Sequence, residues 1–372
     1  MTSSQAWVFS DRGLPSDVLS LTTRPTPTLP PPVPLPSDVP TPEEWLLIKT
    51  SFAGLNPGAI FQMVLVPAFI RSATCVPEMD LSGTVADVWH PDGASPRFAR
   101  GDKVAAMLPA HHAIPTGTGA LAEYVRVPAR YVVRKPEGVS FGDAAGCLLP
   151  ALTAWQMVEE SGVKEGDRVL VNAASGGIGT MVVQMVRKVV GDTGYVVGIC
   201  SGKNADMVKS LGADEIIDYT QHDSLTAHLT ARFSATPFNT ILDTYGLQAL
   251  YLASPSYLVP SGHYSSVGIK APNFSFPDFL RAVVQMKLNE WWPVSRWLGG
   301  VGRRWCGVAM MKPTLEDRQR IIDMLGAGDI RLVRDSVWPF EQAKEAYAKL
   351  AGLHARGKIL VKVDAAVGDD EC

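Results

Sequence analysis

The residues with the plainest chemical use are three glycines, Gly176, Gly177 and Gly179, with Ser175 and Ile178 set among them. They lie in residues 169–187, which read as a short apolar strand, a tight turn and an amphipathic helix. Ile178, Val182, Val183, Met185 and Val186 recur at roughly helical spacing and give that helix a buried face. The chemistry this permits is anion binding. Backbone N–H groups at a helix start point at a pyrophosphate, and glycines let the chain approach it closely. The motif departs from G-x-G-x-x-G, because Ala174 stands where the first glycine would be. A strand-turn-helix that merely packs is the competing reading.

A second apolar strand, residues 195–200, follows one helix later. It ends in Ser201-Gly202-Lys203-Asn204 and not in an acid. An Asp or Glu there would hold a ribose 2′-hydroxyl. Hydroxyl, amide and ammonium groups suit a 2′-phosphate instead, so the expected cofactor is NADPH. A solvated lysine at a helix start is the plain alternative for Lys203.

The elements that must position these residues form two patterns. Before Ser140 the chain shows short strands at about 6–9, 44–49, 77–85, 98–106, 119–127 and 131–136, separated by glycine and proline turns. That is the pattern of a partly closed β domain. Residues 24–42 are dense in proline and read as a polyproline II connector. From residue 140 onward helices and strands alternate, with strands at 196–200, 215–218, 240–243 and 263–267, as in a doubly wound parallel sheet. Thr244 follows one strand end, and Val267 with Gly268 follows the next, where ligands bind in such folds. Residues 276–311 carry Trp291, Trp292, Trp297 and Trp305. They could line an apolar pocket, form a subunit contact or pack as a buried helix. Helices are expected at 315–325 and 340–350, a terminal strand at 357–363, and a fraying acidic tail at 364–372.

Composition narrows the class. The chain has 372 residues, 46% hydrophobic and 19% charged, with a net charge of −3. It is long enough for two domains, and its charge gives no reason to expect nucleic acid or an anionic membrane as partner. Five scattered cysteines and no C-x-x-C pair argue against a disulfide framework and a structural zinc. They fit a reducing compartment, and the N-terminus has no secretory pattern, so a cytoplasmic location is expected. No segment reaches the roughly 18 apolar residues of a membrane span.

The order of motifs resembles the medium-chain dehydrogenase/reductase family, in its zinc-independent branch of quinone oxidoreductases and trans-acting enoyl reductases. The matching stretches run co-linearly along nearly the whole chain: Leu55-Asn56-Pro57, Asp80-Leu81-Ser82-Gly83, Gly101-Asp102-Lys103-Val104, residues 119–124, Leu152-Thr153-Ala154-Trp155, residues 174–179, Leu211-Gly212-Ala213-Asp214, Asp218-Tyr219 and Gly357-Lys358-Ile359-Leu360. The resemblance implies an α/β protein in which a β-rich GroES-like domain, residues 1–139 and 334–372, carries an inserted Rossmann domain, residues 140–333. The active site would be the cleft between the domains. The zinc relatives' Gly-His-Glu motif is missing, and His111 and His112 are adjacent, a poor geometry for joint ligation; they read as loop residues. No metal is expected.

The resemblance also implies roles. Ser175, Gly176, Gly177, Ile178 and Gly179 would hold the pyrophosphate. Ser201, Lys203, Asn204 and Tyr219 would surround the adenosine 2′-phosphate. Asn56 and Thr153 would flank the nicotinamide, although Asn56 could equally serve the Asn-Pro turn and Thr153 could simply pack. Thr244, Val267 and Gly268 would line the cofactor. Lys358 would reach its phosphates or stand as an ordinary edge-strand lysine. The implied reaction is hydride transfer from NADPH to an electron-poor C=C bond of a lipophilic, polyketide-type substrate, free or carrier-bound, and a homodimer is open. Some enoyl reductases of this group carry a tyrosine after Asn-Pro as proton donor; residues 60–63 and 67–70 hold none. The missing acid leaves three alternatives: a quinone reductase, a non-catalytic NADPH-binding accessory protein, and a redox-neutral cyclase or isomerase.

Overall fold

The computed structural model describes residues 2–31, 43–91, 95–271, 273, 275–308 and 313–372. It divides into two compact units. One comprises Met1–Leu152 with Lys312–Cys372, the other Thr153–Met311.

The second unit is built on six strands in the order Glu215–Asp218, Tyr195–Cys200, Arg168–Asn172, Phe238–Asp243, Leu258–Ser266 and Arg304–Gly307. Every pairing is parallel. Parallel strands are buried on both faces, and these are: Leu170, Val197, Ile199, Ile241, Leu258, Tyr264 and Trp305 share one core. The chain leaves Arg168–Asn172 toward one side of the sheet and later returns on the other, beside it, at Phe238–Asp243. This reversal of strand order is the crevice at which open α/β sheets bind ligands. The architecture is the expected Rossmann domain.

The first unit is mainly antiparallel. Its seven-stranded sheet runs Arg334–Pro339, Lys358–Lys362, Trp45–Gly54, Asp80–Trp89, Lys103–Met107 and Val132–Arg134, with Tyr124–Pro128 also paired to Trp45–Gly54. Strands from both ends of the chain therefore lie side by side, as in the expected GroES-like domain. Ser3–Val8 and Ser20–Pro25 form a separate antiparallel pair. The proline-rich connector expected from residue 24 thus begins inside a strand, and its residues 32–42 lie outside the described residues.

The unit boundaries differ from the sequence expectation of 139/140 and 333/334. The first half of the helix Phe141–Ser161 belongs with the β-rich unit, because Phe141 and Ala145 pack on Phe52 and Leu360. The helix Leu315–Gly326 belongs there too. Its buried Arg318 donates to the Met107 carbonyl at 3.2 Å and lies 5.1 Å from the Tyr131 ring. Apolar periodicity finds helices but not the sheet on which each rests.

Three smaller expectations fail for identifiable reasons. The acidic tail does not fray: the Glu371 carbonyl accepts from the Phe141 N–H at 2.9 Å, and Asp370 and Asp369 pair with Arg334 and Lys362. His111 and His112 lie on the short helix Ala110–Thr116, with His112 buried against the rings of Trp45 and Tyr131. The helix Phe276–Trp291 is not buried packing, since Ala282 is its one buried residue and Trp291 is 77% exposed. Among the described residues no helix is long and apolar enough to cross a membrane.

Candidate functional site

In the Rossmann unit the glycine turn joins Arg168–Asn172 to the helix Gly177–Val190. Ala173 takes a left-handed φ of 54°, and the Gly176 N–H closes the turn on the Ala173 carbonyl at 3.0 Å. A Cβ at Gly179 would run into that same carbonyl oxygen, so the third glycine is required by the approach of helix to strand. At Gly176 a Cβ would stand 3.4 Å from the oxygen, an ordinary contact. Gly176 caps the helix without any side-chain hydrogen bond. The helix start therefore presents its amides to a ligand, the arrangement that suits a pyrophosphate.

Ser175, Ser201 and Asn204 meet beside this turn. The Asn204 amide donates to Ser175 Oγ at 3.1 Å and to Ser201 Oγ at 3.3 Å. Asn204 is buried, so it acts as a brace between the two serines, while Lys203 beside it is exposed and Tyr219 is 43% exposed. Sequence reasoning noted that the strand Tyr195–Cys200 ends without an acid. The structure adds one from next door: Asp218, paired in register with Cys200, lies against Gly202. Its carboxylate accepts from the Thr220 hydroxyl at 2.7 Å and the Thr220 N–H at 3.0 Å. These donors, the hydroxyl foremost, hold it below the usual carboxylate range. The parallel pairing of two predicted strands was the signal that could have found it.

On the other side of the crevice Thr244 donates to the Asn172 carbonyl at 2.8 Å. Its hydroxyl thus ties the two central strand ends together. Asp243 anchors the same end: its buried carboxylate accepts from Asn172, Tyr264 and the N–H groups of Tyr245, Gly246 and Leu247. Val267 and Gly268 leave the neighbouring strand there, Gly268 at φ 135° with its carbonyl accepting from Ser266 Oγ. Thr153 is buried in the helix Phe141–Ser161.

The GroES-like unit holds a cluster that its sheet register creates. Trp45–Gly54 is flanked on one side by Asp80–Trp89, with Asp80 opposite Gly54, and on the other by Lys358–Lys362, with Leu360 opposite Gly54. Asn56 follows at the same end. The Lys358 ammonium donates to Asn56 Oδ1 at 2.6 Å and to Asp80 at 3.1 Å, and Asp80 accepts from the Leu149 N–H. The edge-strand reading of Lys358 fails, because its strand is interior; at 3% exposure, with its ammonium on Asn56 and Asp80, Lys358 also does not present itself to phosphate. Asn56 begins the helix Pro57–Leu65 but does not cap it, since its amide faces this cluster.

Glu78 completes the cluster, and sequence reasoning passed over it. It is 1% exposed and takes a left-handed φ of 73°, a conformation that favours glycine. Its carboxylate accepts from the Tyr347 hydroxyl at 2.7 Å, the Asn56 N–H at 3.1 Å and the Asn56 amide at 3.0 Å. Burial pushes its carboxyl up to about 7.

A family model for the alcohol dehydrogenase GroES-like domain matches residues 42–137, and one for a zinc-binding dehydrogenase matches residues 211–361. The chain is 32% identical over 352 residues to the medium chain reductase pydE of Acremonium sp, covering 89% of this chain and 93% of that one. It is 29% identical to the trans-enoyl reductase poxH of Penicillium oxalicum, across 97% and 98% of the two chains. The quinone oxidoreductase of Coxiella burnetii has the same fold, with a TM-score of 0.72 at 24% identity over 98% of this chain and 100% of that one. This chain belongs to the medium-chain dehydrogenase/reductase family, and its relatives include trans-enoyl reductases and quinone oxidoreductase homologues. The class is an oxidoreductase that works with a nicotinamide cofactor.

Zinc, which one of the family models names, does not suit the residues present. Among the described residues no three His, Cys, Asp or Glu side chains converge as ligands. Asp80 already pairs with a cation, the Lys358 ammonium, at 3.1 Å. The five cysteines are free and scattered through the fold.

Proposed function

We propose that this protein is an NADPH-dependent reductase that delivers hydride to a C=C bond conjugated to a carbonyl, on a lipophilic, polyketide-type substrate. The observation that carries this reading is the uncapped helix start at Gly177 beside the Ser201–Gly202–Lys203 turn, at the reversal point of a parallel sheet. Trans-enoyl reductases among the relatives support the alkene as acceptor.

In this reading the bound nicotinamide supplies the hydride. The amides of Gly177, Ile178 and Gly179 bind the pyrophosphate, with Ser175 at the turn and Gly176 giving the open cap. Lys203 and Tyr219 flank the 2′-phosphate. Ser201 and Asn204 shape that turn, and Thr244, Val267 and Gly268 form the opposite wall. Asn56 and Thr153 orient the reacting ring and substrate. The exposed apolar helix Phe276–Trp291 and the following Trp292 and Trp297 suit a lipophilic chain. In this reading the reaction needs no zinc.

The test is steady-state NADPH oxidation with a panel of conjugated enones and enoyl thioesters, with product analysis. Saturation of the double bond with matching NADPH loss supports the reading. Tight NADPH binding with no turnover would instead indicate an accessory protein. A quinone reductase is the second reading, favoured by the absence of a tyrosine between residues 57 and 70, since the hydroquinone monoanion left by hydride transfer takes its one remaining proton from solvent. Faster turnover of quinones than of enones would establish it.

A further inference from the structure

The cluster at the end of the GroES-like sheet contains two buried carboxyls and one ammonium. Asp80 is fully buried, Glu78 is 1% exposed and Lys358 is 3% exposed. Were both acids ionised, the cluster would carry an uncompensated negative charge away from water, which is strongly disfavoured. One proton must therefore stay. Asp80 has the ammonium at 3.1 Å and an N–H from Leu149 at 3.1 Å. Glu78 touches no cation; its partners are the Tyr347 hydroxyl and the two nitrogens of Asn56. The retained proton belongs on Glu78.

The remaining neighbours do not alter this count. Tyr347, from the helix Ala343–Ala351, has its phenol pushed up by burial and by the carboxylate beside it, so it stays neutral. The Cys147 thiol, from the helix Phe141–Ser161, is likewise pushed up by burial. Asp80 is pushed up by burial, with Lys358 acting against it. A glutamate held at a left-handed φ, where glycine is at ease, is an outlier that asks for a reason. The turn is fixed by the Ala120 N–H donating to the Glu78 carbonyl at 2.9 Å.

Asn56 links this proton to the reaction. Lys358 donates to Asn56 Oδ1, which fixes the orientation of the amide. Its two hydrogens then face three acceptors: the Gly54 carbonyl at 2.9 Å, Glu78 at 3.0 Å and Asp80 at 3.3 Å. When Glu78 is ionised it takes one hydrogen, and Asp80 is left the poorer partner. When Glu78 is protonated, its oxygen is a weaker acceptor and the hydrogen turns toward Asp80.

We propose that Glu78 is a positioning residue for Asn56: the proton that the two buried acids retain sits on its carboxyl, and losing that proton re-aims the Asn56 amide. The proposal rests on the reading above in which Asn56 serves the reacting ring. The step is an acid dissociation, in which the carboxyl O–H bond breaks and the proton passes to water. It gives the site a dependence on pH that the backbone-built nucleotide site lacks.

The test uses the full chain labelled with ¹⁵N-asparagine, with NADPH added, and Asn56→Asp to assign the side-chain signal. The Asn56 amide signal is expected to move with a midpoint near pH 7 in the wild type and to stay fixed in Glu78→Gln, which cannot titrate. A wild-type signal that does not move overturns the proposal, as does the same movement in Glu78→Gln. In Tyr347→Phe the carboxylate loses a donor, so the midpoint is expected to rise by roughly one pH unit; an unchanged midpoint overturns the assignment to Glu78. With an enone substrate, kcat is expected to change across about pH 6 to 8 in the wild type, and the profile is expected to be flat over that window in Glu78→Gln. A profile identical in both proteins removes Glu78 from the reaction. If no substrate turns over, the reductase reading fails, while the amide titration still decides where the proton sits.

Discussion

At the start of the helix Gly177–Val190 the groups offered to a ligand are backbone amides, set by glycines and left uncapped. At Asn56 and Glu78 they are side chains, buried and bonded to one another. The first site gains its chemistry from what the chain leaves out, a Cβ and a cap. The second gains it from what five side chains bring together across the sheet. A backbone site is indifferent to pH and intolerant of bulk. A buried side-chain cluster tolerates isosteres and responds to charge. The same family fold thus places two kinds of control in its two units.

The sharpest way to break that contrast is to add bulk at the turn. Gly179→Val would drive a side chain into the Ala173 carbonyl, with backbone on both sides of the clash. NADPH affinity is expected to fall by about a hundredfold or more, read by fluorescence titration. Gly176→Ala meets the same oxygen at 3.4 Å and is expected to bind within a few-fold of wild type. Equal losses in both variants would mean that the turn fails through chain flexibility and not through contact.

In the cluster the corresponding insult is the loss of charge balance. Lys358→Met leaves Asp80 buried without its cation. Removing one partner of a buried pair costs about 3–5 kcal/mol, so the urea midpoint is expected to fall clearly. A change near zero would mean that Asp80 simply takes up a proton in the variant at little cost.

The buried carboxyl of the cluster also makes stability depend on pH. The Glu78 carboxyl sits at about 7 in the folded protein against the usual 4.5. Between those values the folded chain holds a proton that the unfolded chain has released. Stability therefore falls as pH rises from about 4.5 to about 7, and levels off above, by on the order of 3 kcal/mol from this group. Urea unfolding at several pH values is expected to show this slope, and Glu78→Gln to flatten it. A slope unchanged in the variant would assign it to other groups, such as Asp243, whose buried carboxyl is also pushed up.

The contrast also explains what could be read from the residues in order. The glycine turn was legible because its logic is local: the strand, the turn and the helix start occupy adjacent positions, and the periodicities change within a few residues. The order of strands and helices from residue 140 followed for the same reason. The cluster was not legible, because Asn56, Glu78, Tyr347 and Lys358 come from opposite ends of the chain and meet only through sheet register and the packing of the helix Ala343–Ala351. Lys358 read as a phosphate-reaching lysine or an edge-strand lysine, because a short run of residues carries no mark of which strands flank it. Glu78 fell within the strand expected at 77–85, since nothing in its type signals a left-handed φ. Asp218 was visible as a strand end, but only the parallel pairing with Cys200 puts it beside Gly202.

Where the proposed nucleotide site uses side chains, the effects should be smaller and sensitive to salt. Lys203 is exposed, so its attraction for a 2′-phosphate is screened. Lys203→Ala is expected to weaken NADPH by about tenfold and to leave NADH nearly unchanged, with the difference shrinking as salt is added. A loss shared equally by both nucleotides would assign Lys203 to the shape of the turn.

Asp218 gives the finest cut. Its carboxylate lies against Gly202 in the same turn, half-buried and held ionised by Thr220. An anion there opposes a 2′-phosphate, yet it also braces the loop that carries Lys203. These two roles predict opposite outcomes for Asp218→Asn, which keeps an acceptor for Thr220 while removing the charge. If repulsion dominates, NADPH binds about two- to threefold tighter at low salt and the gain vanishes at high salt. If bracing dominates, both nucleotides bind more weakly and salt makes no difference. The Asn side chain retains most of the hydrogen bonding and none of the charge, so the expected result is the salt-dependent gain for NADPH alone. That outcome would show that side chains only adjust a preference in a site whose existence depends on its backbone.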